Sequence, residues 1–218
     1  MLIEGERVAR GFGVAGALDH AIIEHVAVAA EAAGYRTLWA NDTPGGEGLA
    51  ALAAAARVTA RIRLGVGVIP VDRTPADRIA ARVRELGIPQ DRLVLGIGAG
   101  AMRRGSVPRV EEAVLALKAL VSCPVVVGAL GPRMCELGGR VADGVLLNWL
   151  TPVQAAVAAE SVRAAAREAG RPRPEVAAYV RVALPEARAK LEAEARSEEH
   201  TSELQSHVNL VCRLLLEK

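Results

Sequence analysis

Short apolar runs separated by amphipathic stretches recur along this chain. The runs are Val8–Val14, Thr37–Ala40, Arg63–Ile69, Arg92–Ile97, Cys123–Val127, Gly144–Leu147 and Val176–Leu184. Apolar residues within them are continuous rather than alternating, the pattern of parallel strands covered on both faces. The stretches between read as helices. Leu18, Ile22, Val26, Ala29 and Ala33 mark one face of the first, and Gly34 ends it. Thr74-Pro75-Ala76-Asp77 supplies an N-cap, a proline at the first helical position and an acid in the first turn. Val110, Val114, Leu117 and Val121 form another stripe, and Thr151-Pro152-Val153-Gln154 has capping-box spacing. The pattern predicts a strand and a helix repeated seven times, as one α/β domain over residues 1–195 without a linker. The expected fold is a TIM (β/α)8 barrel, cut short after about seven βα units. An open doubly wound sheet is the alternative. It would usually carry a phosphate loop near its start, and none is present.

Residues 196–218, RSEEHTSELQSHVNLVCRLLLEK, resemble a translated sequencing-library adapter and are set aside as a non-native tail. His200, His207 and Cys212 leave with it. Its three basic and four acidic residues leave 24 and 21 in the remainder, a net charge of +3. That charge is spread evenly, with no basic stripe to bind nucleic acid. Cys123 and Cys135 fit reduced thiols in the cytoplasm better than a disulfide framework. No apolar run approaches the roughly 20 residues of a membrane span, and the first residues lack a signal-peptide core. No His, Cys and carboxylate spacing suggests a metal site, and no nucleophile motif appears.

Three glycine-bearing segments carry candidate chemistry. Gly96-Ile97-Gly98-Ala99-Gly100-Ala101 passes a loose dinucleotide pattern, but Met102–Pro108 does not continue as a helix at once. Its glycines suit backbone approaching a flat ring or a phosphate, or a turn that needs positive φ. Gly65-Val66-Gly67-Val68 places two glycines inside a strand, which marks a bulge against a ligand or close packing. Gly131-Pro132-Arg133 is the best anion site: proline at the first helical position, free amides after it, and a guanidinium fork. Asn41-Asp42-Thr43 ends the second strand, where it can bond a ring carbonyl or a substrate, or simply cap the turn. Asn148-Trp149 ends the sixth, where Asn148 can bond a cofactor and Trp149 can wall a pocket or fill space. His20 lies in the first helical turn, His25 points to solvent, and Arg103-Arg104 reads as a solvated loop.

LGVGVIPVDRTPADRIAARV (64–83), DRLVLGIGAG (91–100), VVVGALGPRMCELGGRVADGVLLNWLTP (125–152) and AAYVRVAL (177–184) together resemble the luciferase-like oxidoreductases. The resemblance is specifically to their branch dependent on the deazaflavin coenzyme F420. It implies a (β/α)8 barrel that transfers hydride between the deazaflavin and a small organic substrate. An FMN-dependent monooxygenase, or an inactive truncated fragment, is the alternative. It implies a ring lying against Gly65, Val66 and Gly67. It implies phosphate contacts at Gly98, Ala99 and Gly100 and at Gly131, Pro132, Arg133 and Met134. Asp42 and Asn148 complete the implied cofactor set. The expected setting is cytoplasmic, with a small-molecule substrate, a homodimer as the assembly left open, and neither nucleic acid nor membrane as partner. Catalytic residues stay unassigned, because the cofactor itself performs the hydride step.

Overall fold

The computed structural model describes residues 9–43, 45–102, 104–182, 185–189 and 192–193. The adapter-like tail and Arg103 lie outside the described residues. The chain divides into two compact units, Met1–Val127 and Gly128–Lys218.

The first unit alternates β1 (Gly11–Ala15), α1 (His20–Ala32), β2 (Thr37–Asn41), α2 (Gly48–Val58), β3 (Arg63–Pro70), α3 (Ala76–Glu85), β4 (Leu93–Gly98) and α4 (Ser106–Leu120), and enters β5 (Val125–Ala129). Each of these strands pairs in parallel with the next in chain order, beginning with Gly11 opposite Thr37 and Thr37 opposite Arg63. β2, β3 and β4 are almost wholly buried, as their continuous apolar runs predict. β1 is largely exposed and pairs only with β2 among the described residues.

The second unit completes β5 and continues with α5 (Pro132–Val141), β6 (Gly144–Leu147), α6 (Pro152–Glu168) and β7 (Glu175–Ala178). β6 and β7 pair in parallel, from Gly144 opposite Glu175 to Leu147 opposite Ala178. Gly138 and Gly139 let α5 approach its neighbours. A Cβ on the first would strike Val145, and one on the second would strike the Val162 carbonyl of α6. Ala129, Cys135, Val145, Leu147 and Val162 form the core beneath.

Several predicted helix signals are formed as read. Gly34 takes φ +75° beyond α1. Val110, Val114 and Leu117 are buried on α4. Thr151 and Gln154 make a complete capping box on α6.

Three predictions need correction. The buried face of α1 is Ile23, Ala27 and Ala30, whereas Leu18 and Ile22 are 38% and 49% exposed. In this alanine-rich segment two faces are nearly equal in apolarity. Packing beside α2 decides between them, with Glu24 reaching Arg57 at 2.8 Å. α3 starts at Ala76, with Pro75 as cap residue and no side-chain capping bond, so Thr74 does not cap it. β7 stops at Ala178, because β6 offers only four partner residues; Tyr179 adds one last bond to the Leu147 carbonyl.

Glu31 at the end of α1 clamps the turn before β3. Its carboxylate accepts the amides of Ala60, Arg61 and Ile62, the last two at 2.6 and 2.7 Å. The Ile62 and Arg61 amides hold its pKa below the ordinary carboxylate value. Because the folded pKa is depressed, this contribution is present above the unfolded pKa and is lost as pH falls through the folded one. Glu31→Ala should lower stability by about 1–2 kcal/mol at neutral pH, and the difference should shrink in acid. Urea midpoints at two pH values check both parts.

Candidate functional site

The bulge expected in β3 is present. Register with β4 shifts between Val66 and Ile69, and the Gly67–Val68 peptide is cis. The glycines around it are explained by what fills their empty side-chain positions. A Cβ on Gly65 would enter the Trp39 indole, and one on Gly96 would strike the Val66 carbonyl. A Cβ on Gly98 would sit 2.7 Å from Val68 Cγ2. The β3 bulge therefore seats in two glycine notches of β4, and close packing accounts for Gly65, Gly96 and Gly98 without a ligand.

The loop after β4 is closed around one of the protein's own acids. Gly100 takes φ +66°, its α-carbon faces the Asp72 carboxylate, and the Ala101 amide donates to Asp72 Oδ2 at 2.9 Å. Ala99 lies in the same turn. Here a carboxylate occupies the position where an incoming phosphate would need amides. α4 begins only at Ser106, so no helix N-terminus adjoins Gly96–Ala101 as the dinucleotide pattern requires. Pro108 falls inside the first turn of α4, not in the loop.

At the carboxyl ends of β2 and β3 the first unit holds a cleft of about 330 Å³. Its lining combines the aliphatic Leu49, Ile69 and Ile79 with Asp42, Thr43, Thr74 and the pair Glu47 and Arg82. Asp42 Oδ2 accepts the Gly48 amide at 3.3 Å, so the capping role foreseen for this segment is real; it serves the start of α2. Asp42 Oδ1 lies 3.5 Å from Arg73. Burial raises the Asp42 carboxyl above its ordinary pKa, against smaller opposing effects of the Gly48 amide and Arg73. Glu47 takes Arg82 in a two-point fork, at 2.6 and 2.8 Å. Asn41 Oδ1 accepts the Gly16 amide at 2.8 Å.

In the second unit Gly131 caps α5 and Pro132 takes its first position, as predicted. A Cβ on Gly131 would meet nothing within 4 Å, so the cap is open. Arg133 is exposed and makes no ion pair among the described residues. Two details correct the expected cradle. The Met134 amide turns inward to the Gly131 carbonyl at 3.1 Å, and the Met134 side chain packs on the core cluster.

The end of β6 is the most unusual point in this unit. Asn148 Oδ1 is sealed from solvent and has no hydrogen-bond partner among the described residues. Trp149 follows with φ 55°, a backbone region that bulky side chains rarely adopt. Arg181 lies over the Trp149 ring at 5.0 Å. Tyr179, at the end of β7, has its phenol pushed up to about 12 by burial. Tyr179 and Arg181 were not anticipated as site residues, although Tyr179 is one of only two tyrosines in the chain. His20 and His25 are exposed, and His25 bonds the Ala21 carbonyl of its own helix.

The family model for luciferase-like monooxygenases matches residues 10–121 and 102–210. The chain belongs to the luciferase-like monooxygenase family. It is 28% identical over 211 residues to a 5,10-methylenetetrahydromethanopterin reductase of Methanolobus tindarius, covering 80% of this chain and 65% of that protein. The chain thus spans about two thirds of that relative's length. Among solved structures, the coenzyme F420 dependent tetrahydromethanopterin reductase of Methanopyrus kandleri superposes with a TM-score of 0.71. It has 22% identity, over 80% of this chain and 66% of that one. The FMN-bound oxygenating constituent of 3,6-diketocamphane monooxygenase from Pseudomonas putida gives 0.66 at 15% identity, over 78% and 66%. The α/β fold of this family member is that of the luciferase-like TIM barrels. No helix among the described residues is long and apolar enough to cross a membrane.

An orphaned buried acceptor destabilises its fold unless something bonds it. Asn148→Leu, of similar volume, should leave stability unchanged or raise it by up to about 1 kcal/mol. A loss larger than that in chemical denaturation would mean that Asn148 already has a structural partner.

Proposed function

We propose that this chain is an F420-dependent oxidoreductase acting on a small organic molecule in the cytoplasm. The observation that carries the reading is the sealed, unpartnered Asn148 Oδ1 beside Trp149 at φ 55°. A polar group left unsatisfied next to strained backbone is the mark of a site built for something not part of the chain. The relatives support the choice of cofactor, because one matched structure is named as F420 dependent.

The residues present suit a ring with a phosphate tail. The reading gives Gly65, Val66 and Gly67 to the ring, since the β3 bulge follows them; the Trp39 indole already fills the side-chain position of Gly65, which leaves only its backbone for the ring. Within the second unit, Asn148 Oδ1 is an acceptor open to a cofactor N–H. Gly131, Pro132 and Arg133 would hold the phosphate, through an open cap and an unpaired guanidinium. Gly98, Ala99 and Gly100 fit a phosphate poorly, because the Asp72 carboxylate is already folded into their loop. When bound, the deazaflavin supplies hydride chemistry; the protein binds, orients and excludes water. Trp149, braced by Arg181, walls the site. An FMN-dependent monooxygenase is the second reading, favoured by the likeness to the FMN-bound 3,6-diketocamphane oxygenase. A homodimer is proposed as the assembly.

Titrating coenzyme F420 and FMN separately into the full chain, followed by absorbance and fluorescence, tests this. Saturable F420 binding is expected; binding of FMN alone overturns the choice. Arg133→Ala should weaken F420 by roughly 1–3 kcal/mol, the scale of a lost charged hydrogen bond. Unchanged affinity would move the phosphate elsewhere.

A further inference from the structure

The carboxyl ends of β6 and β7 bring three side chains together in the second unit. Val145 and Leu147 of β6 turn into the core cluster, and Val176 of β7 packs against it. Alternation along a strand then puts Asn148 and Tyr179 on the opposite face. They are neighbours there: Leu147 pairs with Ala178, and the Tyr179 amide donates to the Leu147 carbonyl at 2.9 Å. Arg181 follows two residues on, with its guanidinium 5.0 Å from the centre of the Trp149 ring. No acid among the described residues pairs with Arg181. A guanidinium held over an indole keeps N–H groups for another partner and loses little freedom when it binds one. Burial pushes the Tyr179 phenol up to about 12, opposed only in part by the Arg181 charge. The phenol is therefore a hydrogen-bond donor at neutral pH.

We propose that Arg181 and Tyr179 hold the carboxylate of an acidic substrate beside Trp149. The inference rests on the oxidoreductase reading and narrows it, from a small organic molecule to an organic acid. A carboxylate has a single negative charge and a flat pair of oxygens, which a guanidinium fork takes by two parallel bonds. The Tyr179 hydroxyl supplies a further donor to the same oxygens. A phosphate suits these groups less, because it carries more charge and a third oxygen. The unpartnered Asn148 Oδ1 lies on the Tyr179 face, where its negative end would oppose that excess. A neutral amide or ketone leaves the Arg181 charge unanswered and suits them least. Trp149 itself is held at φ 55°, a conformation that persists only where the surroundings enforce it, as they do in a built site.

Three probes decide the matter: benzoate, its neutral counterpart benzamide, and inorganic phosphate. Each is titrated into the full chain with no cofactor added, while the indole N–H signal of Trp149 is followed by NMR. Trp39, the other tryptophan of the chain, is the internal control. Benzoate should shift the Trp149 signal saturably and leave Trp39 in place, binding at least about tenfold more tightly than benzamide or phosphate. Arg181→Gln should weaken benzoate about tenfold or more, and Tyr179→Phe about threefold or more. Arg181 is exposed and the Tyr179 variant keeps its ring, so both should unfold at the wild-type urea midpoint. Absence of a benzoate shift overturns the proposal. So does benzamide or phosphate binding as tightly as benzoate, or wild-type affinity in either variant. If benzoate binds but neither F420 nor FMN does, the cofactor reading fails and the carboxylate site stands. If F420 binds and benzoate does not, the carboxylate site fails and the cofactor reading stands. If F420 displaces benzoate outright, the anion site belongs to the cofactor and the proposal is overturned.

Discussion

The seating of the β3 bulge in β4 is the constraint on which the first unit depends. A bulge adds backbone to one strand, and the neighbouring strand must yield the room. Here β4 yields it by having no side chain at Gly96 and Gly98, where the Val66 carbonyl and Val68 would otherwise collide with a Cβ. The Trp39 ring fills the matching notch at Gly65 from the β2 side. Three strands are thus keyed together by absent side chains, in a region buried almost without break. With its register fixed this way, β3 ends at Ile69 and Pro70, and Ile69 becomes a wall of the cleft. Packing and site geometry here are consequences of the same contact.

Acids and guanidinium groups are paired in both units, and the second also holds groups left unmet. In the first, acids and guanidinium groups are matched: Glu47 with Arg82, Asp42 with Arg73, Glu24 with Arg57. Even the backbone amide of Ala101 is spent on Asp72. In the second unit Arg171 pairs with Asp143 and Arg167 with Glu160, whereas Arg133 has no such partner among the described residues and the Asn148 acceptor is unmet. Matched groups make a rigid scaffold with no appetite for ions. Unmatched ones are where a charged or polar ligand gains most, because binding there breaks nothing already made.

Much of the fold was legible because each strand is a continuous apolar run and each helix stop has local chemistry. Gly144–Leu147 and the Thr151–Gln154 capping box needed no tertiary information. The face of α1 was not legible, since alanines at Ala21, Ala27, Ala29 and Ala30 make several faces equivalent until a neighbour is chosen. For the site, the bulge and the Gly131-Pro132 cap could be read from glycine and proline placement. The purpose of Gly65, Gly96 and Gly98 could not. Glycine signals that space is needed without saying whether ligand or protein fills it. The Glu47–Arg82 fork spans 35 positions, and no local pattern announces a pair at that separation.

The Gly100 turn shows how that ambiguity resolves physically. A positive φ and a donating amide are what a phosphate loop offers, and they are equally what a carboxylate needs. With Asp72 in place the loop is satisfied, and a second anion at the same amides would face repulsion at close range. The same residues without Asp72 would constitute an anion site. The distinction lies in a side chain 28 residues earlier in the chain than Gly100, beyond the reach of any motif spanning residues 96–101. It follows that a glycine-rich strand end should be weighed by its nearest carboxylate before a phosphate is assigned to it. By that standard the open cap at Gly131 is the place where we propose the phosphate is held.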